Sequence, residues 1–136
     1  MSDMAVVVAP IKGKAWEDGG VTVLGRVIHD GVNVTQAALT SIAYKVFDLR
    51  SQSPETATSS GTLTVSSVIF NALQGANDSD KRWTEDLIGF NFLATFLATA
   101  FPTGGHLYRI EIIFTPATGQ PFPVVYEVEI VGIRSS

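Results

Sequence analysis

The two histidines are the first candidates for chemistry in this sequence, because the chain contains no cysteine. His29 is followed directly by Asp30, and a carboxylate beside an imidazole can orient it for acid–base work or for metal binding. His106 could add a second ligand, but zinc usually takes three or four from the protein. No Gly-x-Ser-x-Gly motif supplies an activated serine. We therefore expect turn residues at both histidines, no enzyme, no metal site and no bound cofactor.

The most polar segment, residues 77–86, is a candidate ligand loop. Its acidic side chains offer the oxygen ligands that Ca²⁺ prefers, but their spacing differs from that of an EF-hand loop and two basic residues interrupt them. Its tryptophan either stacks on a sugar ring or folds back as a lid over the core. The residues of this candidate loop are Asp78, Asp80, Lys81, Arg82 and Trp83. Trp16 permits the same two interpretations, so a glycan- or cell-surface-binding module is the alternative function.

Charge and hydropathy argue against two classes of partner. The net charge is -4, and apart from Lys81-Arg82 the basic residues stand singly, so no cationic stripe favours nucleic acid. No apolar run approaches the roughly 18 residues that would span a membrane, and the first residues lack the basic, then apolar pattern of a secretory signal. We expect a location in a virion or in the cytoplasm, without membrane insertion.

Alternation of apolar and polar residues predicts a hairpin near the end of the chain. Even positions are apolar in residues 107–114 and 124–131, and the turn between them contains Pro116 and Gly119. Keeping both apolar faces on one side demands a particular register. It places Phe114 opposite Phe122, Tyr108 opposite Val128 and Arg109 opposite Glu127. Pro121 and Pro123 remove two backbone donors, which favours an edge strand.

Further strands are predicted upstream from β-branched and alternating segments. Their ranges are residues 21–28, 39–49, 62–65 and 90–101, and the last of these also satisfies helical spacing. Residues 50–61 are expected to be a loop or a frayed edge. Ser66 is a candidate N-cap, with Val65 and Phe70 as a hydrophobic staple, for one short helix over Ser67–Leu73 that ends at Gly75.

About seven strands, one short helix and Tyr108 near the start of the penultimate strand resemble the immunoglobulin-like superfamily. The segment 101–110 resembles the corner that enters the sixth strand of that fold, and residues 120–131 resemble its last strand. The disulfide is missing and Tyr44 would replace the core tryptophan, so the resemblance is to the Cys-free modules of phage virions and bacterial surface proteins. It implies an antiparallel β-sandwich over residues 20–134, with residues 1–19 forming an N-terminal arm or a first strand.

Several apolar residues fall on the outward side of these strands and predict an interface. Only 16% of the residues are charged while 46% are hydrophobic, against roughly 25% charged in an average soluble domain. Exposed apolar patches mark contacts between proteins. The candidate interface residues are Leu24, Ile28, Phe47, Leu49, Leu93 and Leu97. We therefore expect a non-enzymatic structural module, in a phage head or tail by analogy, that forms a homo-oligomer or docks on other structural proteins. The apolar stretch 4–11 is a candidate arm for pairing with a neighbour's sheet edge.

Overall fold

A computed structural model describes residues 11–75 and 88–132, and strands account for most of them. The expected all-β class is confirmed. The strands are β1 Ile11–Trp16, β2 Val21–Gly25, β3 Ile28–His29, β4 Val32–Asn33, β5 Leu39–Asp48, β6 Ala57–Leu63, β7 Ile69–Gln74, β8 Phe90–Phe96, β9 Leu107–Pro116 and β10 Phe122–Val131. One helical turn, α1 (Val65–Val68), and two short 3-10 turns, Gln36–Ala38 and Ala98–Ala100, connect them. The described residues contain no helix long and apolar enough to cross a membrane.

Five strands form the larger sheet, in the order β1-β10-β9-β5-β6. The predicted register of the β9–β10 hairpin is confirmed at all three pairs, including Arg109 opposite Glu127. Arg109 Nη2 donates to Glu127 Oε2 at 3.3 Å, so the outward charges on these strands pair across the ladder. The pairing of β1 with β10 is parallel rather than antiparallel, with Ile11 opposite Tyr126.

The expectation that β10 is an edge strand is correct for only part of its length. Over residues 126–129 it lies between β9 and β1. Residues 122–125 pair with β9 and have no second neighbour among the described strands. Pro123 lies in that part, where a missing N–H interrupts no second ladder.

The smaller sheet has the order β2-β8-β7, and β3 and β4 form a separate two-residue hairpin. The strand interpretation of residues 90–101 is confirmed as far as Phe96, where the chain passes into the 3-10 turn. The hairpin turn is made by Asp30 and Gly31, which have φ angles of 55° and 77°. Two successive positive φ angles fit a turn whose twist matches that of the flanking strands, and Asp-Gly favours that conformation.

The two sheets share one hydrophobic core. Phe92 of β8 contacts Phe114 of β9 edge to face, with ring centroids 5.3 Å apart, and Phe96 contacts Tyr44 of β5 in the same way at 5.0 Å. Tyr126 Oη donates a hydrogen bond to the carbonyl of Leu24 at 2.9 Å and so links β10 to β2. Burial raises the pKa of Tyr126, because its phenolate would lose hydration.

The predicted helix Ser67–Leu73 is wrong beyond its first residues. The helical turn ends at Val68 and the chain continues as β7, where Ile69 pairs with Phe92 and is only 1% exposed. Burial of Ile69 in the core outweighs the helix that a cap at Ser66 would favour. The observed N-cap residue is Thr64, and its side chain makes no capping hydrogen bond. Gly75 has a φ of 77° but follows a strand.

The sequence predicts a loop or a frayed edge over residues 50–61, and residues 57–61 belong to an edge strand, because β6 begins at Ala57 rather than at Thr62. Alternation of apolar and polar residues could not indicate this strand, because β6 is polar and neither of its faces is strongly apolar. Pairing with β5 forms it, and the single hydroxyl proton of Thr58 is shared between the carbonyl oxygens of Val46 and Ala100, each 3.2 Å from Oγ1.

Candidate functional site

The predicted interface residues lie on separate surfaces. Leu24 and Leu93 are direct partners across β2 and β8, on the outer side of the smaller sheet, and both are half-buried. Phe47 faces outward from the larger sheet beside Arg109, and Leu49 follows β5; both are half-buried. Ile28 and Leu97, by contrast, are 51% and 76% exposed. They remain candidates for contact, together with exposed residues that sequence patterns did not identify.

Trp16 and Leu97 form what we call the Trp16 end of the molecule. Trp16 closes β1 and is 65% exposed, and Leu97 follows β8. The turn after Trp16 reaches the end of β8 at Gly20, which has a φ of 72°, and a Cβ there would lie 2.9 Å from the carbonyl oxygen of Phe96. Glycine is therefore required at this turn, where Trp16 and Ala98 lie close to each other around Gly20.

Ile28 and Val32 lie on the two faces of the hairpin at the opposite end of the molecule, the β3–β4 end. They flank the Asp30-Gly31 turn and are 51% and 66% exposed. Exposed β-branched side chains on a hairpin of two-residue strands need support from elsewhere, because isolated hairpins are marginally stable. That support comes from a buried side chain at the base of the hairpin.

Asn91 supports the β3–β4 end and is 1% exposed. Its Oδ1 accepts the backbone N–H of Val27 at 2.7 Å, and its Nδ2 donates to the carbonyls of Val27 and Val34 at 3.0 and 2.9 Å. The Val34 N–H donates to the Val27 carbonyl at 3.0 Å. The amide thus satisfies the backbone where the hairpin leaves and rejoins the sheet. A polar residue between Phe90 and Phe92 is the sequence signal, and its outward parity concealed its burial.

Strand directions place the two ends far apart. β2 starts beside the Trp16 end at Val21 and leads toward Val27, and β9 starts after His106 and finishes at Pro116. The ten residues of β9 span about 33 Å. Gly119 follows that strand and lies beside His29, since a Cβ on Gly119 would be 3.2 Å from His29 Cε1. The two histidines are therefore at opposite ends and do not share a site.

Each histidine has a structural partner. His29 stacks on Phe122 with ring centroids 4.9 Å apart, and its Nδ1 lies 3.7 Å from an Asp30 carboxylate whose side chain is 87% exposed. His106 Nδ1 lies 2.8 Å from Asp48 Oδ2. Asp48 is 4% exposed, and its Oδ1 also accepts the Arg50 backbone N–H at 3.0 Å.

The Asp48 cluster joins the end of β5 to the turn before β9. Arg50 Nη1 donates to the carbonyl of Gly105 at 3.0 Å, and Ser51 Oγ donates to the backbone carbonyl of Asp48. The Asp48 carboxylate itself is bound by His106 Nδ1 and by the Arg50 backbone N–H, so the cluster holds the turn in place. The sequence signal was the inward parity of Asp48, which continues the apolar positions of β5.

Tyr108 is fully buried and fixes the same turn from inside. Its Oη accepts the Thr103 backbone N–H at 2.8 Å and lies 3.4 Å from the Thr103 carbonyl, to which it donates. Burial is the largest cause of its raised pKa, and hydrogen bonds from Thr103 partly oppose it. The pairing ties the penultimate strand to the backbone five residues upstream.

The candidate ligand loop, including Trp83 and the acidic Asp78 and Asp80, lies outside the described residues. Within residues 11–75 and 88–132, no group of three or more His, Asp or Glu side chains is placed to hold a metal ion. The glycan hypothesis for this loop stays a prediction.

Comparisons with models of protein families, with curated proteins and with solved structures find no match to this chain. Any proposal about function therefore rests on the geometry of the chain itself.

Proposed function

We propose that the chain is an immunoglobulin-like domain that serves as a non-enzymatic structural module. Three features support the fold assignment. The smaller sheet has the order β2-β8-β7 and the larger one β1-β10-β9-β5-β6, which resembles an immunoglobulin domain in which β1 and β6 flank the three strands β10-β9-β5. Near the start of β9, which corresponds to the sixth strand of the immunoglobulin fold, Tyr108 Oη accepts the Thr103 backbone N–H, as the tyrosine of that fold bonds to backbone a few residues upstream. Tyr44 takes the core position that tryptophan fills in antibody domains.

The module is proposed to associate with copies of itself through its two ends. The carrying observation is that four of the six exposed large apolar side chains of the described residues lie at opposite ends: Trp16 and Leu97 at one, Ile28 and Val32 at the other. The other two are Ile11 and Ile88. Two different patches on one molecule favour a head-to-tail contact, which forms a ring if the rotation closes and a filament if it does not. Repeated copies in a virion head or tail are the setting that we propose for such contacts.

Light scattering over a range of protein concentrations tests this function. The expected mass rises above the 14.5 kDa of a single chain. Leu97→Ser removes an apolar side chain that is already exposed, so it weakens association without loss of the fold. Thr99→Ser is the matched control, because Thr99 is exposed two residues away. A wild-type protein that stays monomeric at high concentration, or equal behaviour of the two variants, refutes the proposal.

The virion setting has a separate test. Genes for virion components commonly cluster, so the genes on either side of this one are expected to encode structural or assembly proteins. Neighbouring genes for carbohydrate metabolism or for surface adhesion would favour the glycan-binding alternative instead.

A further inference from the structure

We propose that β6 accepts an additional strand, supplied by residues 4–9 of a second copy of this chain. The inference rests on the proposed self-association and names one place where copies meet. β6 lies at an edge of the larger sheet and pairs with β5 alone among the described strands. Such an edge leaves a row of backbone N–H and C=O groups open to another chain.

β6 is the least protected of the sheet edges in the described residues. β1, at the opposite edge, carries Lys12 and Lys14, and charged residues of this kind discourage strand addition. β7 pairs irregularly with β8, with a shift between Ile69 and Gln74, and β2 has only five residues. β6 has seven residues with no charge and no proline, and four of the seven are exposed. Its own register shift lies near its start, at Thr58, and the strand pairs regularly with β5 from Ser59 to Leu63.

The rim of β6 is apolar on its core side. Tyr44 and Leu63 are partly buried and pack against the core. The Tyr44 side chain lies over Gly61, because a Cβ on that glycine would be 3.0 Å from Tyr44 Oη. An incoming strand with small or branched apolar side chains on one face would cover Tyr44 and Leu63 while its backbone completes the ladder.

Residues 4–9, Met-Ala-Val-Val-Val-Ala, have the matching chemistry. They lie outside the described residues, so the argument uses only their sequence and their attachment at β1. Three consecutive valines favour an extended strand, and the segment contains no charge. Six residues extend about 20 Å, close to the length of β6.

The segment cannot pair along its whole length with β6 of its own chain. β1 and β6 are opposite edges of a five-stranded sheet, so four spacings of about 4.8 Å, or about 19 Å, separate them. Only Pro10 stands between residue 9 and Ile11, a connection that reaches about 7 Å. The acceptor edge must therefore belong to another copy.

Continuation of β1 along its own β10 is also unfavourable. Ile11 is opposite Tyr126, so the same parallel register would place Val8 opposite Pro123 and Val6 opposite Pro121. Both prolines lack the N–H that the ladder needs, and Pro10 lacks its own. The β6 edge has no such gaps.

Single-cysteine variants test the pairing directly, because the natural chain contains no cysteine. Full-length Val7→Cys protein is mixed with Ser60→Cys protein under mild oxidation, and peptide mapping identifies which chains become linked. Adjacent strands bring Cβ atoms within disulfide range, so the mixed disulfide is expected as the main product. Val7→Cys mixed with Thr22→Cys, an exposed position on β2, is the matched control and is expected to give little product.

Three results would overturn the inference. A main product that links two Ser60→Cys chains would show that β6 pairs with β6. Intramolecular linkage at high dilution in a chain that carries both Val7→Cys and Ser60→Cys would show that residues 4–9 bind β6 of their own chain. Equal yields with Ser60→Cys and Thr22→Cys would show random collision.

A second measurement separates this inference from the proposed function. Val7→Pro is expected to weaken association about tenfold, because proline removes a ladder donor, while Val7→Ile leaves association unchanged. If Leu97→Ser lowers the mass in light scattering and Val7→Pro does not, the end contacts stand and the β6 site is refuted. If wild-type protein is monomeric throughout, the proposed function itself fails.

Discussion

Replacing Gly25 by alanine probes the link that Tyr126 makes between the two sheets. Tyr126 Oη donates to the Leu24 carbonyl at 2.9 Å, and a Cβ on Gly25 would lie 2.7 Å from that same oxygen. This approach is closer than atoms tolerate, so the hydroxyl must move and its hydrogen bond must be lost. The next Tyr126 atom, Cζ, is 4.0 Å from the added Cβ, which is ordinary contact.

The expected magnitudes follow from these distances. Loss of the hydrogen bond costs about 1 kcal/mol, and overpacking costs about 1–3 kcal/mol. Removal of a glycine from a strand returns about 0.5–1 kcal/mol, so Gly25→Ala lowers the free energy of unfolding by about 2 kcal/mol. Tyr126→Phe alone costs about 1 kcal/mol. The double variant loses only about 0–0.5 kcal/mol, because alanine fits once the hydroxyl is gone and removal of the glycine offsets part of the lost hydrogen bond. The coupling is therefore about 2.5–3 kcal/mol.

Urea unfolding followed by circular dichroism measures all four proteins of this cycle. The protein concentration is held constant, since association adds to apparent stability. Gly13→Ala is the control, because a Cβ there meets nothing within 4 Å, and it is expected to leave stability unchanged or slightly raised. If the losses for Gly25→Ala and Tyr126→Phe add within about 0.5 kcal/mol, the contact does not exist as described.

Three further outcomes are expected. Asn91→Ala lowers the free energy of unfolding by about 3 kcal/mol, because it leaves buried backbone groups of Val27 and Val34 unpaired. The control Asn33→Ala, at an exposed position, costs under about 1 kcal/mol. Equal losses of the two variants in urea unfolding would contradict the role of Asn91 in supporting the hairpin. Tyr108→Phe lowers the free energy of unfolding by about 1–2 kcal/mol, because the Thr103 N–H loses its acceptor. No change in the same assay would refute the hydrogen bond between Tyr108 and the Thr103 backbone. Alkaline titration is expected to lower the free energy of unfolding above about pH 10, because burial raises the pKa of Tyr126 in the folded protein and the tyrosine of the unfolded chain ionises first. Tyr126→Phe should therefore make stability fall less steeply with pH. The same slope of stability against pH in the variant would contradict the burial of Tyr126.

The hairpin register was predictable because it depends on neighbouring residues. Alternation along β9 and β10 assigns each side chain to a face, and only one register keeps both apolar faces together. Arg109 opposite Glu127 followed from that rule alone. The helix prediction for Ser67–Leu73 was wrong because a distant residue determines the structure there. Ile69 forms a strand because it pairs with Phe92, which is 23 residues away.

The candidate site shows the same division between local and distant effects. Exposure of Ile28 and Leu97 followed from strand parity, but Leu24 and Leu93 shield each other across β2 and β8. Alternation gives the wrong face at Asn91 as well, because this residue has the outward parity of β8 and yet lies under the turn around Val27. Sequence patterns describe one strand at a time, and these contacts depend on how separate strands meet.

What the sequence by itself determined is the β class, the C-terminal hairpin and the excess of apolar over charged residues, because these depend on composition and on a period of two. Only the tertiary structure decided which apolar residues reach solvent and where. It placed Trp16 and Leu97 at one end and Ile28 and Val32 at the other, and it left β6 as an uncharged edge. The physical reason is that exposure and edge position depend on pairings between residues far apart in the chain, which the core's packing selects and no local pattern encodes.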